Sequence, residues 1–308
     1  MRRALLVAFC LTAAHGALDV KSTIKEAQAD LEANRPTWAR SKLKAALSEL
    51  REMEKSEELA QDAADLLIEL GGTYRQLSQE AEAIAAFEEA ADILTQLHGA
   101  DDGRHTMALS KLADAHASAG AHAEALPLYR AMLTSMRKRL GQTHPGYSWT
   151  LDRLAHSAMG AGKPKAAAKA LKQLLELAGT TPAPDSIADA SQIRASMQLR
   201  YSTALANSGK LVEALEQAEA AEAGFAASGS EGSLEHAQSI NGVAGVLEKL
   251  GRDDDAIAAM TRAHDLVQGS EDESVVRGAQ RNLAGLQAHV RRKRERQAQG
   301  QAQDTREL

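Results

Sequence analysis

Six alanines, Ala39, Ala83, Ala125, Ala167, Ala214 and Ala256, recur at steps of 44, 42, 42, 47 and 42 residues, and twelve residues before each stands another small side chain: Ala27, Gly71, Ala113, Ala155, Ser202 and Ala244. Self-similarity at a nearly fixed period marks stacked copies of one supersecondary unit, because a single unit cannot bury its apolar face alone. Five residues before each alanine lies Asn34, Ser78, Gly120, Gly162, Gly209 or Gly251. Glycine at four of these six positions is what a helix C-cap requires, so each unit is read as two helices joined by a tight turn.

The stripes within a unit agree. Leu109, Leu112, Ala113 and His116 fall at i, i+3, i+4, i+7, and Ala125, Leu128, Tyr129 and Met132 repeat that spacing on the next helix. A small residue on each helix lets the two axes approach closely, and a bulky residue at Ala167 is expected to overpack the pair by about 1–3 kcal/mol. Composition fits: 44% of residues are apolar but only 3% aromatic, so the core is built of Ala and Leu. No apolar run reaches the ~20 residues that span a bilayer, which argues against a membrane-embedded chain. A formal charge of -6 argues against a globally basic nucleic-acid binder.

Residues 1–16 read differently. Arg2 and Arg3 precede an apolar stretch from Ala4 to Ala14, and the small residues Ala14 and Gly16 follow, which is the three-part form of a secretory signal peptide cleaved after Gly16. A first amphipathic helix is excluded because the stretch has no polar face. Cleavage takes the formal charge from -6 to -8 and removes Cys10, the only cysteine, so the mature chain holds no disulfide, thiolate nucleophile or zinc-thiolate site. A plastid transit peptide fits poorly, since acidic residues such as Glu26 and Asp30 follow almost at once. The final Glu307-Leu308 shares two residues with K-D-E-L retention signals, so the expected location is the endoplasmic reticulum lumen or secretion, with the cytoplasm as the alternative.

The hairpin with Leu70, Gly71, Tyr74, Ala83, Phe87 and Ala90 resembles the tetratricopeptide repeat. The step of 42, together with Ala125-Leu126-Pro127-Leu128-Tyr129 and the linker Leu140-Gly141-Gln142-Thr143-His144-Pro145, is similar to the kinesin-light-chain subtype. The resemblance covers about residues 20–270 and implies an all-α fold, a right-handed superhelical solenoid of antiparallel helix hairpins whose concave face binds extended peptides. That subtype carries Asn directly before the Leu-Ala of the first helix, whereas Lys111, Arg153 and Arg200 stand here; only Asn282, before Leu283-Ala284, keeps it. The expected organisation is a signal peptide at 1–16, six hairpins over 17–275, a capping helix over 276–297 and a polar flexible tail over 298–308.

A face two residues before the small position turns about 200° away from the partner helix. Lys25, Glu69, Lys111, Arg153, Arg200 and Gly242 form this row, with Ser110, Asp114, Trp149, Asp152, His156 and Asn241 nearby. The expected peptide-binding surface is therefore Ser110, Lys111, Asp114, Trp149, Asp152, Arg153, His156, Arg200 and Asn241. Arg153 and Arg200 would fork onto carboxylates of an acidic peptide, Lys111 would act as a point charge and Trp149 as an apolar anchor. The competing reading of that row is a solvated face partly neutralised by Asp114 and Asp152.

Other clusters have plainer explanations. Arg291, Arg292, Lys293, Arg294 and Arg296 suit a solvated helix end, and Asp253-Asp254-Asp255 suits the start of a helix better than a calcium loop, whose closing Glu is missing. His98, His105, Asp101 and Asp102 lack the thiolates and fixed spacing of a metal site. With no G-x-S-x-G, H-E-x-x-H, P-loop or G-x-G-x-x-G between strand and helix, the expected function is a non-catalytic scaffold of the secretory system that needs no cofactor and binds protein or peptide partners. Its alternatives are a structural subunit of a larger complex and a cytosolic, kinesin-light-chain-like cargo adaptor. The missing heptad region and the leader argue against a kinesin subunit.

Overall fold

The computed structural model describes residues 19–53, 56–179, 187–229, 233–270 and 272–307; the expected leader, residues 1–16, lies outside them. The described residues form helices and connecting turns, with no strand. The chain divides between Ala161 and Gly162 into two compact units. The first holds α1 (Val20–Glu32), α2 (Pro36–Arg51), α3 (Glu57–Gln76), α4 (Glu80–His98), α5 (Gly103–Ser118), α6 (His122–Arg139) and α7 (Pro145–Gly160). The second holds α8 (Pro164–Ala178), α9 (Ile187–Asn207), α10 (Leu211–Ala227), α11 (Leu234–Lys249), α12 (Asp253–Val267) and α13 (Glu273–Glu307).

Local chemistry sets these boundaries. Ser56, Asp102 and Ser233 each accept a backbone N–H of the first turn that follows, while Pro36, Pro145 and Pro164 open helices where no intrahelical donor is needed. At the other ends, Asn34, Ser78, Gly120, Gly162, Gly209 and Gly251 all adopt positive φ, between 56° and 86°. The residue after several of them reaches back to an earlier carbonyl, as Ala121 N–H does to His116 O at 2.8 Å and Arg252 N–H to Leu247 O at 2.9 Å. This left-handed residue and long return bond are the Schellman closure, which satisfies carbonyls the helix end would leave open.

The recurring small positions are core positions. Ala39, Ala83, Ala125, Ala167, Ala214 and Ala256 are all fully buried, and their partners Ala27, Gly71, Ala113, Ala155, Ser202 and Ala244 are buried too. In the fifth pair the meeting is direct, because the Ser202 hydroxyl donates to the Ala214 carbonyl at 2.7 Å. A polar group at a core position is thereby satisfied rather than left to desolvation. In the second pair Gly71 lies against the ring of Phe87, where a Cβ would come within 2.5 Å of Cε1. Here the glycine is required by close approach, not by backbone conformation.

Within the first unit consecutive helices pack on one another, and the first helices of successive hairpins, α1 with α3 and α3 with α5, also touch. The second unit repeats this pattern, α9 touching α11. Its last helix, α13, lays Leu286 and Val290 on a cluster containing Val243, Ala244, Leu247, Ala256 and Ala259. That contact covers the apolar side of the final hairpin, as a terminal cap must. The helix runs on to Glu307, so residues 298–307 are helical where composition points to a flexible tail. Most residues there are good helix formers continuing an already nucleated helix, and propagation needs no new nucleus.

Candidate peptide-binding surface

Asp114, Arg153 and His156, three residues of the expected site, come together in the first unit. They line a cleft of about 230 Å³ with Arg75, Ala117 and Ser118, contributed by α3, α5 and α7. The hairpin repeat is responsible, since one face of each first helix is presented beside the same face of its neighbour. Gln28 of α1 bonding Glu69 of α3 at 3.1 Å shows the same relation one step earlier.

The cleft is held by a polar chain. The Tyr129 hydroxyl, on α6, donates to Asp114 Oδ1 at 2.7 Å, and Arg153 Nε stands 3.8 Å from the same oxygen. Burial first, then the Asp114 bond and charge, push the Tyr129 phenol well above its ordinary range, so it remains a donor. The Arg153 guanidinium lies 5.1 Å from the centre of the Trp149 ring, a cation–π arrangement, and that ring is 42% exposed. On the opposite wall an Arg75 Nη2 donates to Ser118 Oγ at 3.1 Å, and its Nε sits 3.8 Å from Glu80. His156 meets His122 edge to face with centroids 5.8 Å apart, and Gly160 leaves the space that the His122 ring fills.

The remaining expected residues are placed less tightly. Ser110 and Asp152 are half-buried, while Lys111 is exposed and has no ion pair among the described residues. Arg200, exposed on α9, and Asn241, half-buried on α11, belong to the second unit. Asn241 Oδ1 is buried and makes no hydrogen bond among the described residues. Arg75 and Ser118 complete the cleft, Tyr129 supports it through Asp114, and none of the three was singled out for it by sequence. Tyr129 carried a usable signal: a tyrosine at a core position needs a partner for its hydroxyl.

The other clusters are occupied by structural contacts. His98 bonds Gln61 at 2.7 Å, His105 bonds the Ala100 carbonyl at 3.0 Å, Asp102 caps α5 and Asp101 holds Lys138 at 3.0 Å. Asp253 accepts Lys293 at 2.8 Å, Asp254 accepts Arg294 at 2.7 Å and Asp255 accepts Arg252 at 2.7 Å. Among the described residues no group of three or more His, Cys, Asp or Glu is disposed to hold a metal. No described helix is long and apolar enough to cross a membrane.

Models of the tetratricopeptide repeat match residues 62–138, 105–179 and 153–231, which together span more than half of the chain. The chain belongs to the tetratricopeptide-repeat family. In fold its repeats are similar to kinesin light chain TPR-like repeats. The crystal structure of nearly identical kinesin light chain TPR-like repeats from Podosopora anserina matches with a TM-score of 0.57 at 20% identity, over 69% of this chain and 97% of that one. A secreted RxLR effector protein, RXLR-C07 of Plasmopara halstedii, is 26% identical over 236 residues, 75% of this chain and 71% of the relative. The RxLR effector protein SFI4 of Phytophthora infestans is 26% identical over 210 residues, 67% of this chain and 60% of its own length. The tetratricopeptide-repeat fold is an all-α scaffold for protein–protein interaction, generally without catalysis.

Proposed function

We propose that this protein is a non-catalytic scaffold of the secretory route that captures an acidic peptide segment in the first unit's cleft. The observation that carries this reading is Arg153, sandwiched between the exposed Trp149 ring and Asp114. At 3.8 Å its contact with Asp114 is too long for a good hydrogen bond, and Asp114 already accepts the short bond from Tyr129. The guanidinium is therefore held in place by stacking and charge while donors remain for an incoming carboxylate. Lys111, exposed on α5 with no ion pair among the described residues, adds a cation at the position equivalent to Arg153 one repeat earlier, and Trp149 offers the apolar area of an anchor. A surface built on packed helices leaves most of the ordering cost to the peptide alone. For localisation, the support is the form of residues 1–16 and the secreted relative.

An array of acidic, neutral and basic decapeptides probed with the mature chain tests the capture. Acidic members should bind, Trp149→Ala should weaken them, and Arg153→Glu should abolish them. Identical profiles for wild type and Arg153→Glu overturn the reading. N-terminal sequencing of the expressed chain tests the leader, with Ala17 as the expected first residue and an intact Met1 as the contrary result.

A further inference from the structure

Arg291, Arg292, Lys293, Arg294 and Arg296 crowd into six consecutive residues of α13, just where the helix leaves the body of the second unit. Val290 is its last buried residue, and from Arg291 to Gln299 every side chain is exposed except the half-buried Lys293. Charge alone holds this stretch. Lys293 Nζ meets both Asp253 oxygens, at 2.9 and 2.8 Å, and Arg294 meets Asp254 at 2.7 Å. Arg291 Nε stands 3.8 Å from Glu295, one turn along the same helix.

Such a stretch opens readily. Both partners of the Arg294 pair are mostly exposed, so the pair contributes little. A helix packed only at its start peels back from its free end, and an unsupported helical stretch of this length is marginal in water. Arg292 and Arg296, like charges four residues apart, oppose the helix further. Once extended, alternate side chains face opposite ways, so Arg294 points to one wall of a groove and Lys293 and Arg291 to the other. A second run, Arg137-Lys138-Arg139, closes α6 differently. It lies between the buried Ser135 and the buried Tyr147, so exposing it means disrupting a packed hairpin, and Met136 stands where the α13 run has Arg291.

We infer that α13 carries a proteolytic processing site, at which an endoprotease with cation-selecting pockets hydrolyses the Arg294–Glu295 bond and releases the segment from Glu295 onward. Water adds across the amide: the carbon–nitrogen bond breaks, a carboxylate forms on Arg294 and an amine on Glu295, and nothing is oxidised or reduced. Leu286 and Val290 stay on the last hairpin, so the cap survives the cut. The Asp253 and Asp254 pairs are the latch, because a protease that takes the open form cuts at a rate set by how often that form is populated. Where the protease is met rests on the proposed secretory route; the site itself does not.

The test expresses the full chain with a peptide tag after Leu308 in eukaryotic secretory cells and sequences the N-termini of the main product and of the tag-bearing fragment. Ala17 and Glu295 are the expected first residues. Arg294→Ala should abolish the cut, and Arg291→Ala should slow it at least tenfold. Asp253→Asn with Asp254→Asn should speed it about two- to fivefold. The Arg139–Leu140 bond is the control for folding, since a variant that unfolds is cut there as well. A product that starts at Ala17 and still carries its tag overturns the inference and leaves the secretory route standing. An intact Met1 refutes the route instead. The purified chain, incubated with a subtilisin-type endoprotease specific for paired cations, then decides: a first cut after Arg294 sustains the site, and a first cut after Arg139 overturns it.

Discussion

The Tyr129 hydroxyl bonds Asp114 Oδ1 at 2.7 Å across the third hairpin, so a fully buried core side chain supports a carboxylate on the cleft wall. Tyr129→Phe keeps the packing and removes only this donor. The expected cost is about 1–2 kcal/mol, the range for a hydrogen bond to a charged group that retains partial solvent access. Released from Tyr129, Asp114 can close on Arg153 and compete with peptide carboxylates, so acidic-peptide affinity should fall as well. The raised phenol adds a pH signature. Above pH 10.0, the ordinary phenol value, the unfolded chain gives up this proton while the folded chain keeps it, so stability is lost as pH rises. Denaturant titrations between pH 8 and 11 should show that loss in wild type and a smaller one in Tyr129→Phe.

Adjacent glycines in α3 should respond in opposite directions to the same substitution. A Cβ at Gly71 meets Phe87 Cε1 at 2.5 Å, whereas one at Gly72 meets nothing within 4 Å. Gly71→Ala is expected to destabilise by about 1–3 kcal/mol through overpacking of a fully buried ring. Gly72→Ala should stabilise by up to ~1 kcal/mol through helix propensity alone. Thermal unfolding of the two variants separates these effects, and Phe87→Leu should partly rescue Gly71→Ala but not alter Gly72→Ala.

The repeat was legible because packing and turn chemistry each left a regular trace. Ala83 and Gly71 are small for the same reason that Phe87 can be large, and Gly120 or Gly251 marks a backbone that few other residues adopt. Asn34 and Ser78 show the rule surviving where the residue type alone would not reveal it, since their positive φ is imposed by the hairpin. The cleft was only partly legible. Asp114, Arg153 and His156 could be placed on one face by period, but Arg75 and Ser118 join them through the registry of three different helices, which no local pattern encodes. The extent of α13 was missed because polar composition lowers the expectation of order, while helix propensity and a packed N-terminal half favour continuation.

The first hairpin carries its own acid-sensitive lock. Asp30 is 4% exposed and receives Arg35 at 2.7 Å and Lys42 at 2.9 Å. The Lys42 hydrogen bond above all lowers the Asp30 carboxyl below 3.8. A lowered folded value means that the contribution is fully present above the unfolded carboxyl range and fades as pH drops through the folded value. Lys42 is raised above 10.5, mainly by the same bond, so the pair also fades as pH climbs beyond that range. With Trp149 replaced by Phe, the remaining Trp38 on α2 reports this hairpin by fluorescence. Its denaturation midpoint should fall from pH 6 to pH 3 in wild type and change far less in Asp30→Asn, which should already be weaker at pH 6.

The acidic triad that opens α12 performs two electrostatic jobs, and a charge swap separates them. Asp253 lies in the first turn, where a carboxylate complements the helix dipole, and it also accepts Lys293 of α13 at 2.8 Å with its own side chain only 13% exposed. Asp253→Lys loses both terms and places two cations together, with an expected cost of about 1–2 kcal/mol. Lys293→Asp loses the pair but leaves the dipole term intact, so it should cost less. In the swapped double variant the pair is restored with reversed sign while a cation still faces the N-terminus of α12. Stability should therefore recover only in part, by about the pair energy of up to ~1 kcal/mol. Added salt should shrink every one of these differences, because the groups remain partly solvated. Hydrogen exchange over residues 286–297 gives the local reading: protection there should drop in either single variant and return in the swap. Full recovery of global stability in the swap would show that the dipole contributes nothing measurable at Asp253, and no loss in either single variant would show that the ion pair does not anchor α13.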